Sequence, residues 1–84
     1  MTKIVVYSSD CCPYCVRAKA LLRNKGVVFE EINVDGKTQV RNEMAQKAGR
    51  SSVPQIWIGA KHVAGCDELF ALEHSGQLDD LLLV

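Results

Sequence analysis

Alternation and periodicity divide the chain into short segments of opposite habit. Lys3 to Tyr7 contains the run Ile4-Val5-Val6-Tyr7, β-branched and aromatic and closed by Ser8-Ser9-Asp10, which predicts a buried strand. From Cys12 to Lys25 the spacing turns helical: Ala18, Leu21 and Leu22 share one stripe, while Arg17, Lys19, Arg23 and Lys25 fall elsewhere. Asp10 or Cys11 stands where it can cap that helix. Pro13 lies in the first turn, where a missing N–H costs nothing, and Gly26 closes the end. Val27 to Val34 reads as a second strand, stopped by Asp35-Gly36. Thr38 to Ala48 reads as a second helix with Val40, Met44, Ala45 and Ala48 inward and Gly49 as its stop.

The remaining elements are shorter. Pro54 precedes the run Gln55 to Ile58, Gly59-Ala60 makes a turn, and Lys61 to Ala64 follows, which together predict a hairpin. Asp67 to Ser75 predicts a helix with Leu69, Phe70 and Leu72 as its apolar positions, and Asp79 to Leu83 a last short one. The order β-α-β-α-β-β-α(-α) is that of an α/β protein with a four-stranded mixed sheet. The first crossover needs a helix to return parallel, whereas the late hairpin does not. No repeat, linker or low-complexity tract interrupts it, so residues 1–84 read as a single domain.

Composition narrows the function. Apolar residues make up 48% and charged residues 24%, near the globular average, which argues against disorder. Ten Lys and Arg balance ten Asp and Glu, without the basic excess by which nucleic-acid binders displace counterions, so no nucleic-acid partner is expected. The apolar run near Met1 is too brief for a signal-peptide core or a membrane span, and neither end has a lipidation motif. The expected compartment is the cytoplasm, with no membrane partner. Reducing pools there keep thiols free, and Cys11, Cys12 and Cys15 are too crowded to staple distant parts of a fold. Such a cluster points to redox chemistry or metal binding.

The sharpest feature is Cys12-Pro13-Tyr14-Cys15, set between a strand and the helix it feeds. Thiols three residues apart face one another across a helical turn, near enough to close a small disulfide ring. Position divides their labour. Cys12 meets the open helix end, where unpaired N–H groups and the dipole favour an anion, and is the expected nucleophile. Cys15 lies one turn deeper beside Val16 and Ala18, stays protonated, and resolves the mixed disulfide from within. The uninterrupted bases Arg17, Lys19, Arg23 and Lys25 are expected to add positive potential near the pair and to steer anions toward it.

Together with Ser52-Val53-Pro54 ahead of the third strand and Ala64-Gly65-Cys66-Asp67 ahead of the late helix, this motif resembles the glutaredoxins of the bacterial dithiol type, over essentially the whole chain. The resemblance implies the thioredoxin fold, with Pro54 as a cis proline facing the thiols. It also implies glutathione-dependent thiol–disulfide exchange: Cys12 attacks, and Cys15 completes the reduction of protein disulfides. Glutathione is then a co-substrate, and no bound cofactor or metal is implied. Tyr14 lines the glutathione groove, and the backbone of Val53 pairs with the cysteinyl part as an added strand would. Cys66 and Asp67 hold the γ-glutamyl end, helix N–H groups meeting its carboxylate and the Asp67 side chain its ammonium. Arg41 is the candidate for the glycine carboxylate, ahead of Lys47 and Arg50. Implied protein partners are glutathionylated or disulfide-containing proteins, ribonucleotide reductase among them, met by a monomer. The chain departs from its relatives at three places. Ser8-Ser9-Asp10 stands where many have a Lys, Ser52 replaces Thr, and Ala64 replaces a Gly, a change that is tolerated where the backbone needs no positive φ.

Competing readings stay open on sequence alone. Thiolates on one turn suit zinc or copper(I), with Cys11 as a third sulfur, but no second C-x-x-C or nearby His completes a four-ligand site. A thioredoxin-like donor served by a reductase in place of glutathione is one alternative, and a module carrying copper(I) or a bridged iron–sulfur cluster is another. Cys11 is expected to point away from the site, and Cys66 to be a filler whose backbone matters. Trp57 is expected in the core or against a helix, and His62 and His74 at the surface.

Overall fold

In the computed structural model, which describes residues 3–82, the chain runs β1 (Ile4–Ser8), α1 (Pro13–Asn24), β2 (Glu30–Asn33), α2 (Thr38–Ala48), β3 (Gln55–Ile58), β4 (Lys61–Ala64), α3 (Cys66–His74) and α4 (Gln77–Leu82). The sheet order is β2-β1-β3-β4, with β1 and β2 parallel and the other pairs antiparallel. This is the mixed four-stranded sheet and element order predicted from the pattern.

Alternation along β1 sorts the core into two layers, because successive side chains point to opposite faces. Ile4 and Val6 join Ile56, Ile58 and Val63 on one face, where Ala18 and Leu22 of α1, Leu69 of α3 and Leu78 of α4 cover them. Val5 and Tyr7 look the other way, onto Met44 and Val40 of α2 with Val34 and Trp57. Of the inward positions predicted for α2, Met44 is fully buried, and Val40, Ala45 and Ala48 are half-buried.

Several boundaries move. The second strand is shorter than the predicted Val27 to Val34 because its ladder starts opposite Val5 and ends opposite Ser8. Val27 and Phe29 still pack on the core, but Val28 is 81% exposed. Helix α3 starts at Cys66 and ends at His74, one residue earlier at each end than predicted. The last helix starts at Gln77, two residues earlier than predicted, and the predicted end at Leu83 lies outside the described residues. Ala64 has φ of 72°, the one positive φ outside glycine among the described residues. The condition for tolerating alanine there therefore fails, and the residue sits in backbone that glycine would adopt more easily.

Candidate active site

The loop from β1 into α1 is held by the loop that follows β2. Asp35 accepts from Ser9 Oγ at 2.6 Å and from the Asp10 backbone N–H at 2.8 Å, while Asn33 Nδ2 donates to Asp10 Oδ1 at 2.7 Å. With Asp10 committed to Asn33, neither it nor the exposed Cys11 caps α1, contrary to expectation. Cys12 itself is the cap: its Sγ accepts from the backbone N–H of Cys15 at 3.1 Å. Sequence reasoning missed this because capping preferences favour short oxygen-bearing side chains. Here the cap and the proposed nucleophile are one atom.

The two thiols differ in the way their positions on the helix demand. Cys12 is half-buried, and its thiol donates to the carbonyl of Val53 at 3.7 Å. Cys15 is fully buried, and its pKa is pushed up to about 12, chiefly by burial and next by the hydrogen bond with Cys12, while a backbone hydrogen bond from Ser9 works the other way.

Beside the pair runs an open groove of about 160 Å³. One wall is Ser52, Val53 and Pro54, with Arg50 at its end; the other is Gly65, Cys66, Asp67 and Glu68; Tyr14 borders the mouth and is 55% exposed. The Val53–Pro54 peptide is cis, as the resemblance implied. The first wall is anchored from below by Gln55, a fully buried side chain whose Nε2 donates to Ser52 O at 2.9 Å and whose Oε1 lies 2.7 Å from His62 Nε2. His62 is therefore half-buried against Trp57, its ring 4.5 Å away, and burial lowers its pKa. The surface position predicted for His62 is not what the fold provides, whereas His74 is exposed.

Five of the residues proposed for glutathione (Tyr14, Val53, Pro54, Cys66 and Asp67) meet in this groove. Arg41 does not line it: its Nε donates to Ser51 O at 3.2 Å, bracing the turn behind the wall. The cation in the lining is Arg50, whose Nη2 lies 3.5 Å from Glu68 Oε2. Glu68 had no role in the sequence reading, yet its Oε1 accepts from Gly65 N at 2.9 Å, and that acid three residues into the helix was the available signal. Burial raises the Cys66 thiol pKa, consistent with a filler at the start of α3. The basic run of α1 is mostly committed elsewhere. Lys19 pairs with Glu31 at 2.6 Å, Lys25 with Glu73 at 2.6 Å and Asp79 at 2.8 Å, and Arg17 and Arg23 lie over Phe70 and Phe29.

Among the described residues no group of three or more His, Cys, Asp or Glu is arranged to hold a metal ion, and no helix is long and apolar enough to cross a membrane. The arrangement can form and break a disulfide beside a slot for an extended small peptide. The sequence model described as Glutaredoxin matches residues 4–63. A glutaredoxin of Pseudomonas aeruginosa is 58% identical over 82 residues, covering 98% of both chains. Glutaredoxin 3 of Escherichia coli K12 is 51% identical over 82 residues, covering 98% of this chain and 99% of its own. The crystal structure of a buckwheat glutaredoxin–glutathione complex superposes with a TM-score of 0.90 at 30% identity, covering 98% of this chain and 77% of that one. A match running from β1 through the hairpin, in company with relatives that share more than half of its residues, makes this chain a member of the glutaredoxin family.

Proposed function

We propose that in this glutathione-dependent thiol–disulfide oxidoreductase Cys12 is the nucleophile and Cys15 the resolving thiol. The observation that carries the assignment is the N-cap: the more open sulfur receives the Cys15 N–H at the positive end of α1, while its partner is buried and held as a thiol. With a glutathionylated protein, Cys12 attacks the glutathione sulfur, the protein leaves as thiolate and takes up a proton, and Cys12 carries glutathione. A second glutathione then attacks that disulfide, releasing oxidised glutathione and restoring Cys12. With a protein disulfide, Cys12 forms a mixed disulfide that Cys15 resolves, and two glutathiones reduce the resulting Cys12–Cys15 bond. Once Cys12 is tied in a mixed disulfide, its charge and hydrogen bond no longer oppose ionisation of Cys15, so the second thiol becomes easier to ionise when it is needed.

Glutathione lies along the groove in this reading, its cysteinyl part paired with the backbone of Val53 beside Pro54 and Tyr14. Its γ-glutamyl carboxylate meets the N–H groups that open α3 at Cys66, and its ammonium meets Asp67. Its glycine carboxylate goes to the end of the first wall, where Arg50 lines the groove and Arg41 supports the turn through Ser51. The buckwheat relative, solved as a complex with glutathione, supports glutathione as the co-substrate. The protein acts as a monomer in the cytoplasm on glutathionylated and disulfide-containing proteins, ribonucleotide reductase among the candidates. The reaction as written calls for no bound cofactor.

The test is a glutathione-reductase-coupled assay. Cys12→Ser abolishes turnover of a glutathionylated substrate, and Cys15→Ser keeps that reaction but loses reduction of a protein disulfide. Substantial turnover by Cys12→Ser would remove the nucleophile assignment, and equal loss of both reactions in Cys15→Ser would remove the division of labour.

A further inference from the structure

The resolving step needs Cys15 as an anion, yet its sulfur is fully buried. Lys19 follows it by four residues in α1, one turn on and on the same helix face. That lysine is not waving in solvent. Its side chain is 16% exposed, and Nζ sits 2.6 Å from Glu31 Oε2. The same carboxylate oxygen accepts from Ser8 Oγ at 2.6 Å, and Ser8 is the fully buried last residue of β1. The next residue, Ser9, supplies the backbone hydrogen bond to the Cys15 sulfur. Lys19 is thus fastened through Glu31 to the end of the strand that leads into the thiol loop.

We propose that Lys19, held by Glu31 and Ser8, is a positioning residue for the resolving half of the reaction, its fixed charge favouring the anion of Cys15 as that sulfur attacks the mixed disulfide on Cys12. In this step Cys15 loses its proton, its sulfur bonds to that of Cys12, and the bond from Cys12 to the substrate sulfur breaks. The substrate sulfur leaves with the electron pair and takes up a proton, so Cys15 is oxidised as that sulfur is reduced, and Cys12 stays in a disulfide throughout. The charged groups that act on Cys15 are Cys12 across the turn and Lys19. Behind Lys19 stand Glu31 of β2 and, acting on Glu31, Arg23. From α3, Cys66 faces Cys12 and Arg17. In the mixed disulfide the Cys12 charge is gone, and of the two charges that act on Cys15 only Lys19 remains. Deglutathionylation by Cys12 alone does not use it.

This inference rests on Cys15 being the resolving thiol, so the experiment separates the two claims. Reduction of a disulfide-bonded peptide is measured against pH for the unaltered protein, Lys19→Met, Lys19→Gln and Lys19→Arg. Deglutathionylation is measured in the Cys15→Ser background with and without Lys19→Met. Lys19→Met and Lys19→Gln slow the resolving step at neutral pH by about tenfold, the equivalent of one unit in the ionisation of a thiol, and displace its pH–rate curve upward by about that unit. Lys19→Arg restores the curve, and in the Cys15→Ser background Lys19→Met changes deglutathionylation less than about twofold, which also reports that the variant is folded. An unshifted pH–rate curve in both neutral variants, or an equal slowing of deglutathionylation, overturns the role of Lys19. Loss of deglutathionylation in Cys15→Ser itself would instead overturn the reading of the thiol pair, whatever Lys19 does.

Discussion

Ala64 offers a direct measurement of strain at the edge of the groove. It ends β4 with φ of 72°, and the next residues, Gly65 and Cys66, open α3 and line the second wall. An L-residue there brings its Cβ against the following carbonyl, at a cost of about 1–2 kcal/mol that glycine avoids. Glycine in turn has about 0.5–1 kcal/mol more backbone entropy to lose on folding. The methyl of Ala64 is only half-buried, so its packing offsets a further fraction of about 0.8 kcal/mol. The balance favours Ala64→Gly by about 0.5 kcal/mol, and in a domain of this size each kcal/mol moves Tm by about 4–8 °C, so the midpoint rises by about 2–4 °C. Thermal and urea unfolding followed by circular dichroism measure it, with the urea m-value unchanged because the buried surface hardly differs. Ala64→Val is the control: branching at Cβ makes the left-handed backbone worse, and its midpoint falls. A lower midpoint for Ala64→Gly, or an unchanged one for Ala64→Val, would refute the idea that this residue stores strain.

Other perturbations read the groove, the charges and the core. Arg50→Ala raises KM for a glutathionylated substrate by about threefold to tenfold with little change in kcat, as loss of one partly exposed charged contact should, and steady-state kinetics decide it. Arg41→Ala shows a lower unfolding midpoint alongside any change in KM, because Arg41 braces Ser51 from outside the groove. Glu31, Asp35 and Glu68 are all held below the usual carboxylate range, Glu31 chiefly by Lys19, Asp35 chiefly by the Ser9 hydroxyl, and Glu68 chiefly by a backbone N–H. Carboxyls more acidic in the folded chain than in the unfolded one stabilise it at neutral pH. Urea midpoints therefore hold down to about pH 5 and fall as the pH drops through about 4 and below. Leu22→Ala, at a fully buried position between α1 and the sheet, costs about 2–5 kcal/mol, a large share of the stability of so small a domain, and urea unfolding detects it.

How much of this was legible in the chain depended on whether the signal was local. The strands, the helices and the thiol pair followed from periodicity and from Cys12-Pro13-Tyr14-Cys15, since the residues that decide them lie within a turn or two of each other. The second strand was drawn too long because Val27 to Phe29 has strand chemistry but no partner along β1. Capping by Cys12 was hidden because Asp10, the better capping residue by type, is drawn away to Asn33 of β2. The choice of Arg41 over Arg50 failed to anticipate the groove wall for the same reason. Both are basic, and only the packing of α2 against the sheet decides which one reaches the lining. Ala64 carries no local mark of a positive φ. The hairpin register, irregular between Ile56 and Trp57 where β4 pairs with β3, imposes its setting from outside.

The charges show the same dependence with a functional consequence. Read along the chain, four bases after Cys15 promise a positive field that draws in anionic glutathione. In the fold two of them are paired with carboxylates, Lys19 with Glu31 and Lys25 with Glu73 and Asp79, so they add little to the field at long range, and Arg23 lies over Phe29. Arg17 alone of the four acts on a groove residue, since it opposes the raised pKa of Cys66. The groove itself carries Arg50 against Asp67 and Glu68, so its net charge is not positive either. Long-range steering is therefore weak, and in the proposed binding mode recognition falls to contacts at short range: the N–H groups opening α1 and α3, the backbone of Val53, and one arginine already shared with Glu68. A site built this way discriminates by the shape and hydrogen bonds of a bound peptide more than by its charge. That suits an enzyme that must take glutathione from many protein surfaces of either sign and hold it only long enough to exchange a sulfur.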